Sequence, residues 1–183
     1  MSPAERLTAV RAHLKSAGVD GFFVPRADEY QGEFVAPYAE RLSWLTDFTG
    51  SAGLAVILTD QAALFIDGRY TLQVRDQADD TLYDFKHSSD EPVGPWLREV
   101  LEAGQRLGFD PNLHTPDQVK RYTEACKKVG AELVALPGNP IDAVWSDQPE
   151  RPRTPFKVHP LSLAGQSHDD KRTQMGEELS KDD

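Results

Sequence analysis

Apolar positions recur at helical spacing through residues 3–17, 95–103 and 116–129. They come as short runs or alternation through 20–25, 54–66 and 131–136. In the first stretch Leu7, Val10 and Leu14 form one stripe of a helix. Ser2 stands where an N-cap belongs, Pro3 at the first helical position, and Glu5 where its side chain closes a capping box. Gly18 stops the helix. "DGFFVP" (20–25) reads as a buried strand ended by Pro25. Periodicity then lapses in "RADEYQGEFVAP" (26–37), which predicts an irregular polar loop. "YAERLSWL" (38–45) fits a short helix burying Leu42 with Leu45 or Trp44.

"LAVIL" (54–58) and "AALFI" (62–66) form a hairpin around Thr59-Asp60-Gln61. The second strand leads through Asp67-Gly68-Arg69 into a predicted helix over 70–79 carrying Leu72, Val74 and Ala78. "TLYDFKH" (81–87) alternates imperfectly, with Leu82 on one face and Tyr83 and Phe85 on the other, and reads as a strand. A helix over 95–103 presents Trp96, Leu97, Val100 and Leu101. "RLGFD" (106–110) is a short strand. Thr115-Pro116-Asp117-Gln118 is a second capping box, opening a helix to Val129 with Val119, Tyr122, Cys126 and Val129 on one face. "AELVAL" (131–136) is the last strand of the core. Strands alternating with helices, broken by one hairpin, predict an α/β fold: a mixed sheet with packed helices.

Near 137–155 proline becomes dense and periodicity stops. The expectation is one α/β domain over 1–145, then a linker and the first segment of a truncated second domain over 146–183. In that last part "PFKVHPLSLAGQ" is a candidate strand, and 167–183 a helix capped by Ser167 with only Met175 and Leu179 strongly apolar.

Composition narrows the function. With 183 residues, 39% hydrophobic and 27% charged, the chain suits one full domain and the start of another. A net charge of -10 argues against nucleic acid and anionic membrane as partners, since both call for a cationic surface. No apolar run approaches the roughly 18 residues of a membrane span. The N-terminus lacks the apolar core of a signal peptide, so the expected location is the cytoplasm. The single cysteine, Cys126, excludes an intrachain disulfide and a multi-cysteine zinc site.

Few residues suggest chemistry of their own. The five histidines, His13, His87, His114, His159 and His168, form no H-E-x-x-H, and His87 near Asp90 and Glu91 reads as a solvated loop. In Thr49-Gly50-Ser51-Ala52-Gly53 the serine directly follows the first glycine, so the nucleophile-elbow pattern fails, and a glycine turn feeding the strand is the better reading. No phosphate-binding glycine motif occurs. No catalytic residue and no metal ligand is expected in this chain.

Longer matches are more specific. "FFVPRADEYQGEFVAPYAERLSWLTDFTGSAGLAVIL", "FIDGRYTLQVRDQA", "GFDP" and "VWSDQPERP" occur in order and together resemble the N-terminal region of cytosolic Xaa-Pro aminopeptidases (aminopeptidase P). These belong to the creatinase, prolidase and methionine-aminopeptidase superfamily. The resemblance covers residues 1–155. It implies a non-catalytic N-terminal domain, followed in the parent enzyme by a similar second domain and a C-terminal catalytic domain. That last domain holds two divalent metal ions, usually manganese, on two aspartates, a histidine and two glutamates. It also implies peptides with proline in the second position as substrates, a homodimer, and a role for this domain in dimerisation and in shaping the substrate cleft. The alternative is a free-standing peptide- or protein-binding module on the same fold.

Two residues carry the choice between architecture and function. Arg69, at a strand end, either braces its turn against Asp67 or offers a guanidinium fork to a substrate across the dimer, as the resemblance implies. Trp44 either packs in the core with Leu42 and Leu45 or forms an aromatic lid over the partner's peptide site.

Overall fold

Ser2 and Glu5 close the capping box that starts α1 (Pro3–Ser16), and Leu7, Val10 and Leu14 are its buried stripe. The computed structural model describes residues 1–181. It divides into two units, one over Met1–Arg151 and one from Pro152 onward.

In the first unit β1 (Gly21–Pro25), β2 (Gly53–Leu58), β3 (Ala62–Ile66), β4 (Asp84–His87), β5 (Arg106–Phe109) and β6 (Glu132–Ala135) form one mixed sheet in the order β4-β3-β2-β1-β5-β6. β2 pairs antiparallel with β1, where Gly21 faces Leu58, and with β3, where Gly53 faces Ile66. The β3–β4, β1–β5 and β5–β6 pairs are parallel. β2 therefore runs against all five other strands.

Alternation along the strands feeds two cores. Phe22, Val24, Ala55, Ile57, Leu64 and Ile66 pack on one face with α1, α2 (Arg41–Thr46), α3 (Gln73–Gln77) and α6 (Pro140–Val144). Phe23, Val56, Ala63, Phe65, Leu107 and Phe109 pack on the other with α4 (Val93–Val100) and α5 (Pro116–Lys128). The second capping box forms as expected at Thr115 and Gln118. Cys126 is fully buried, and burial pushes its thiol up to about 11.

Several elements differ from the periodicity reading. The helix expected over 70–79 is a 3-10 turn at Gly68–Tyr70 followed by the short α3. The Asp67 side chain accepts the Arg69 N–H and starts the turn early, leaving Leu72 at 78% exposure. The strand expected over 81–87 begins only at Asp84. Asp79 accepts from the Thr81 N–H and hydroxyl in a local turn, and Tyr83 points inward to donate to the Leu45 carbonyl. α4 starts two residues earlier than expected and ends at Val100, with Leu101 extended but buried. The six-residue strand expected over 131–136 is shorter and lies at the sheet edge, half-exposed.

The stretch 137–155 holds a helix that periodicity missed. α6 is five residues long and capped by Asn139, too short to show a repeat, yet Ile141 is fully buried and Trp145 nearly so. Past it, Gln148 Nε2 donates to the Tyr38 carbonyl and to Asp142, and Arg151 pairs with Glu29.

In the second unit the strand considered in "PFKVHPLSLAGQ" is absent among the described residues. Instead α7 (Leu161–Ala164) opens after Pro160. α8 (His168–Leu179) is capped by Ser167, which accepts the Asp170 N–H at 3.0 Å. Residues 182 and 183, at the end of that expected helix, lie outside the described residues.

Candidate functional site

The reversal of β2 gathers the carboxyl ends of β1, β3, β4, β5 and β6 at one sheet edge, beside the start of β2. There β1 exits toward α2 on one face and β5 toward α5 on the other. Such a parting of connections opens the crevice where α/β folds hold ligands.

Asp67 and Arg69 sit on this edge, at the exit of β3. Asp67 Oδ1 accepts from the Arg69 backbone N–H at 3.0 Å and from its Nε at 2.8 Å. Those two bonds, the backbone one first, hold the Asp67 carboxyl below the usual carboxylate range. The Arg69 guanidinium also lies over the Tyr70 ring, 5.2 Å from its centroid, and Tyr70 is tied by its hydroxyl to Ser51 Oγ at 2.6 Å. Arg69 nonetheless remains 65% exposed along its side chain, with both Nη groups outside this brace. The turn reading and the fork reading of Arg69 are thus geometrically compatible: one nitrogen braces and two are left without a hydrogen-bond partner.

Gly68 has a reason beyond turn geometry. A Cβ there would stand 2.7 Å from His87 Nε2. His87, the half-buried last residue of β4, lies beside Asp90 of the exposed loop that follows, with Oδ2 3.3 Å from Nδ1. Gly50 and Gly53, in the serine-containing turn, are needed for close approach as well. A Cβ would meet the Phe48 ring at 2.2 Å from Gly50, and Leu42 at 2.8 Å from Gly53.

Trp44 lies elsewhere, half-buried on α2. Its ring stacks on Trp145 at 5.3 Å between centroids, Arg6 lies over it at 5.5 Å, and its carbonyl accepts from Arg6 Nη1 at 2.5 Å. Leu42 and Leu45 fill the core beneath α2, and Trp44 packs against its margin. Trp44 also borders a shallow groove with Val35, Pro37 and Trp145. Arg69 and Trp44 have separate partners and form no single constellation.

Arg41 escaped the sequence reading. Its side chain is 6% exposed and grips Asp142 with Nε at 2.6 Å and Nη2 at 2.8 Å. The partners are about a hundred residues apart in sequence, so no local pattern announces them. The loop 26–37 also exposes Tyr30 and Phe34 almost fully, which its polar character concealed.

Among the described residues no group of three or more histidine, cysteine, aspartate or glutamate side chains is arranged to hold a metal ion, so the described residues do not fit a dinuclear centre. No described helix is long and apolar enough to cross a membrane.

Comparison with known proteins agrees with this architecture. Residues 6–144 match the family described as creatinase/prolidase N-terminal domain. A probable Xaa-Pro aminopeptidase P of Coccidioides posadasii is 37% identical over 181 residues, 97% of this chain but 28% of that protein. X-prolyl aminopeptidase from Caenorhabditis elegans, described as a cytosolic enzyme with a di-nuclear active site, superposes with a TM-score of 0.86 at 28% identity, over all of this chain and 32% of that one. The N-terminal domain of the cytoplasmic peptidase PepQ from Mycobacterium tuberculosis H37Rv gives 0.57 at 25% identity, over 76% of this chain and 97% of that one. This chain thus spans about a third or less of the full-length relatives it matches and nearly all of an isolated N-terminal domain. Sheet order, edge geometry and family match lead to one statement: the chain belongs to the creatinase/prolidase N-terminal domain family, as the N-terminal domain of an Xaa-Pro aminopeptidase-type protein.

Proposed function

We propose that this domain serves an enzyme that removes the N-terminal residue preceding proline from peptides. The observation that carries the reading is the match to Xaa-Pro aminopeptidase P over 97% of the chain. The catalytic centre, two divalent metal ions with manganese as the expected metal, then belongs to a part of the enzyme outside this chain. The enzyme works in the cytoplasm as a homodimer, and residues 146–183 form the linker and first segment of its second domain. The domain itself contributes to dimerisation and shapes the substrate cleft. Arg69 offers its two unbonded Nη groups to a carboxylate or carbonyl of the peptide bound by the partner subunit, and Trp44, from its own separate groove, forms an aromatic lid over the partner's peptide site. Support for Arg69 is its geometry: Asp67 and the Tyr70 ring orient it, so little freedom is lost on binding.

The test is Arg69→Ala in the full-length enzyme. A charge-assisted contact is worth about 1.5–3 kcal/mol, so kcat/KM should fall by roughly ten- to a hundredfold. Unchanged kinetics with a lowered melting temperature would leave Arg69 as a brace. A full-length protein that binds peptides but does not cleave them when supplied with manganese would favour the free-standing binding module.

A further inference from the structure

The exposed, braced Arg69 leaves unexplained a cleft of about 320 Å³ above the amino end of β2, between the exits of β3 and β5. Pro25, Gly53, Leu54, Asp67 and His114 are among the residues that line it. A larger hollow of about 550 Å³ at the opposite sheet edge, beside Arg11 and Thr59, has no enclosed polar atom lacking a partner.

Hydrogen-bond capacity in the cleft is lopsided. Asp67 Oδ1 takes both bonds from Arg69, which leaves Oδ2 without a partner. Gln31 spends its Nε2 on the Asp28 carbonyl at 3.2 Å, leaving its amide oxygen. Arg26, the cation of the lining, is occupied: Nη1 donates to the carbonyls of Glu33 and Ser51, and Nη2 lies 3.6 Å from Glu40. His114 is 8% exposed, and its Nδ1 lies 3.0 Å from the Asp110 carbonyl. A carbonyl only accepts, so Nδ1 carries the hydrogen and Nε2 is a bare acceptor. That nitrogen is enclosed and without a partner. Leaving a buried acceptor unmet is costly. Beside it the Tyr122 ring stacks on Phe23 at 4.4 Å.

We propose that this cleft binds a small organic ammonium, carried by a free amino acid or by a peptide N-terminus, between Asp67 Oδ2 and His114 Nε2. An ammonium has three N–H donors and no acceptor, which complements the free groups. To reach Nε2 the ligand swings the Tyr122 ring off Phe23. The proposal does not depend on the peptidase reading, because it concerns this domain alone.

An amide-resolved NMR titration of the 183-residue chain tests it, with ethylamine, glycine, glycinamide, a short peptide, and the N-acetylated forms of the last two. The amines should shift Asp67, Ser88 and His114 amides and the Tyr122 ring, with millimolar affinity, while the acetylated forms should not. Glycine binding better than the peptide identifies the free amino acid as source, and the reverse identifies the peptide N-terminus. Asp67→Asn and His114→Phe should each weaken ethylamine binding at least about tenfold. Ser88→Trp, at an exposed rim position, should block the cleft and spare the fold even if the other two variants unfold. Absence of shifts with every amine, equal shifts from the acetylated probes, or full binding by Ser88→Trp would overturn the proposal.

Discussion

Arg41–Asp142 and Arg69–Asp67 are the same pair of residue types put to opposite use. Arg41 is buried and spends two nitrogens on one carboxylate, joining α2 to α6 on the same face of the sheet. Arg69 is exposed and spends only Nε on a carboxylate two residues away. Water reaches both partners of the second pair, but of the first it reaches only the partly exposed Asp142 and hardly the Arg41 guanidinium. The lesson is that burial decides what an ion pair does: an enclosed pair binds elements together, and an exposed one orients a group toward something else.

The largest effect should come from breaking the buried pair. Asp142→Ala strands a guanidinium that is already short of one partner at Nη1. It should cost about 3 kcal/mol, measured by urea unfolding of this chain, because a lone buried charge is expensive. A loss as small as that of a surface pair would erase the contrast. Next comes Gly68→Ala, whose Cβ would stand 2.7 Å from His87 Nε2. The ring can swing toward solvent, so about 1 kcal/mol is expected, with the Asp67–Arg69 turn displaced. A crystal structure showing the turn unmoved would mean that its bracing is independent of His87.

Arg69→Ala should be nearly silent in the same unfolding assay, since exposed pairs contribute little. A loss matching that of Asp142→Ala would assign both pairs to architecture.

His114 gives the smallest and most specific effect. Burial pushes its pKa below the ordinary histidine value, against the weaker opposing influence of the Asp110 carbonyl. The unfolded chain then takes up a proton on acidification through about 6.5 while the folded chain does not. Stability should therefore fall as pH drops through that range and level off below the folded-state value. His114→Phe should flatten this slope, as read from urea midpoints at several pH values. An unchanged slope would exclude His114 as its source.

The sequence made legible what depends on local repetition. Both capping boxes, the hairpin and the buried faces of α1 and α5 follow from residues a few positions apart. Side-chain turns at Asp67 and Asp79 shortened α3 and β4, because a carboxylate accepting a nearby N–H competes with regular structure. α6 was invisible because five residues complete little more than one turn. The candidate site was legible only in part. Asp67-Gly68-Arg69 stood out by position, but His114 lies next to Thr115 at a helix start and reads as loop. Its enclosure needs Phe23, Phe109 and Tyr122, which come together only in the fold.

The tryptophans form a built-in optical gauge. Trp44 and Trp145 stack at 5.3 Å with their planes 18° apart, while Trp96 meets Phe65 edge-on across the other core. Two indoles that close couple their electronic transitions, so the pair should give a split circular-dichroism band that the solitary Trp96 cannot produce. Trp145 is the last residue of the first core before the chain runs toward Pro152. Any event that pulls on that exit would thus be read as a change of colour-band shape on one face of the sheet, with Trp96 as the internal reference on the other.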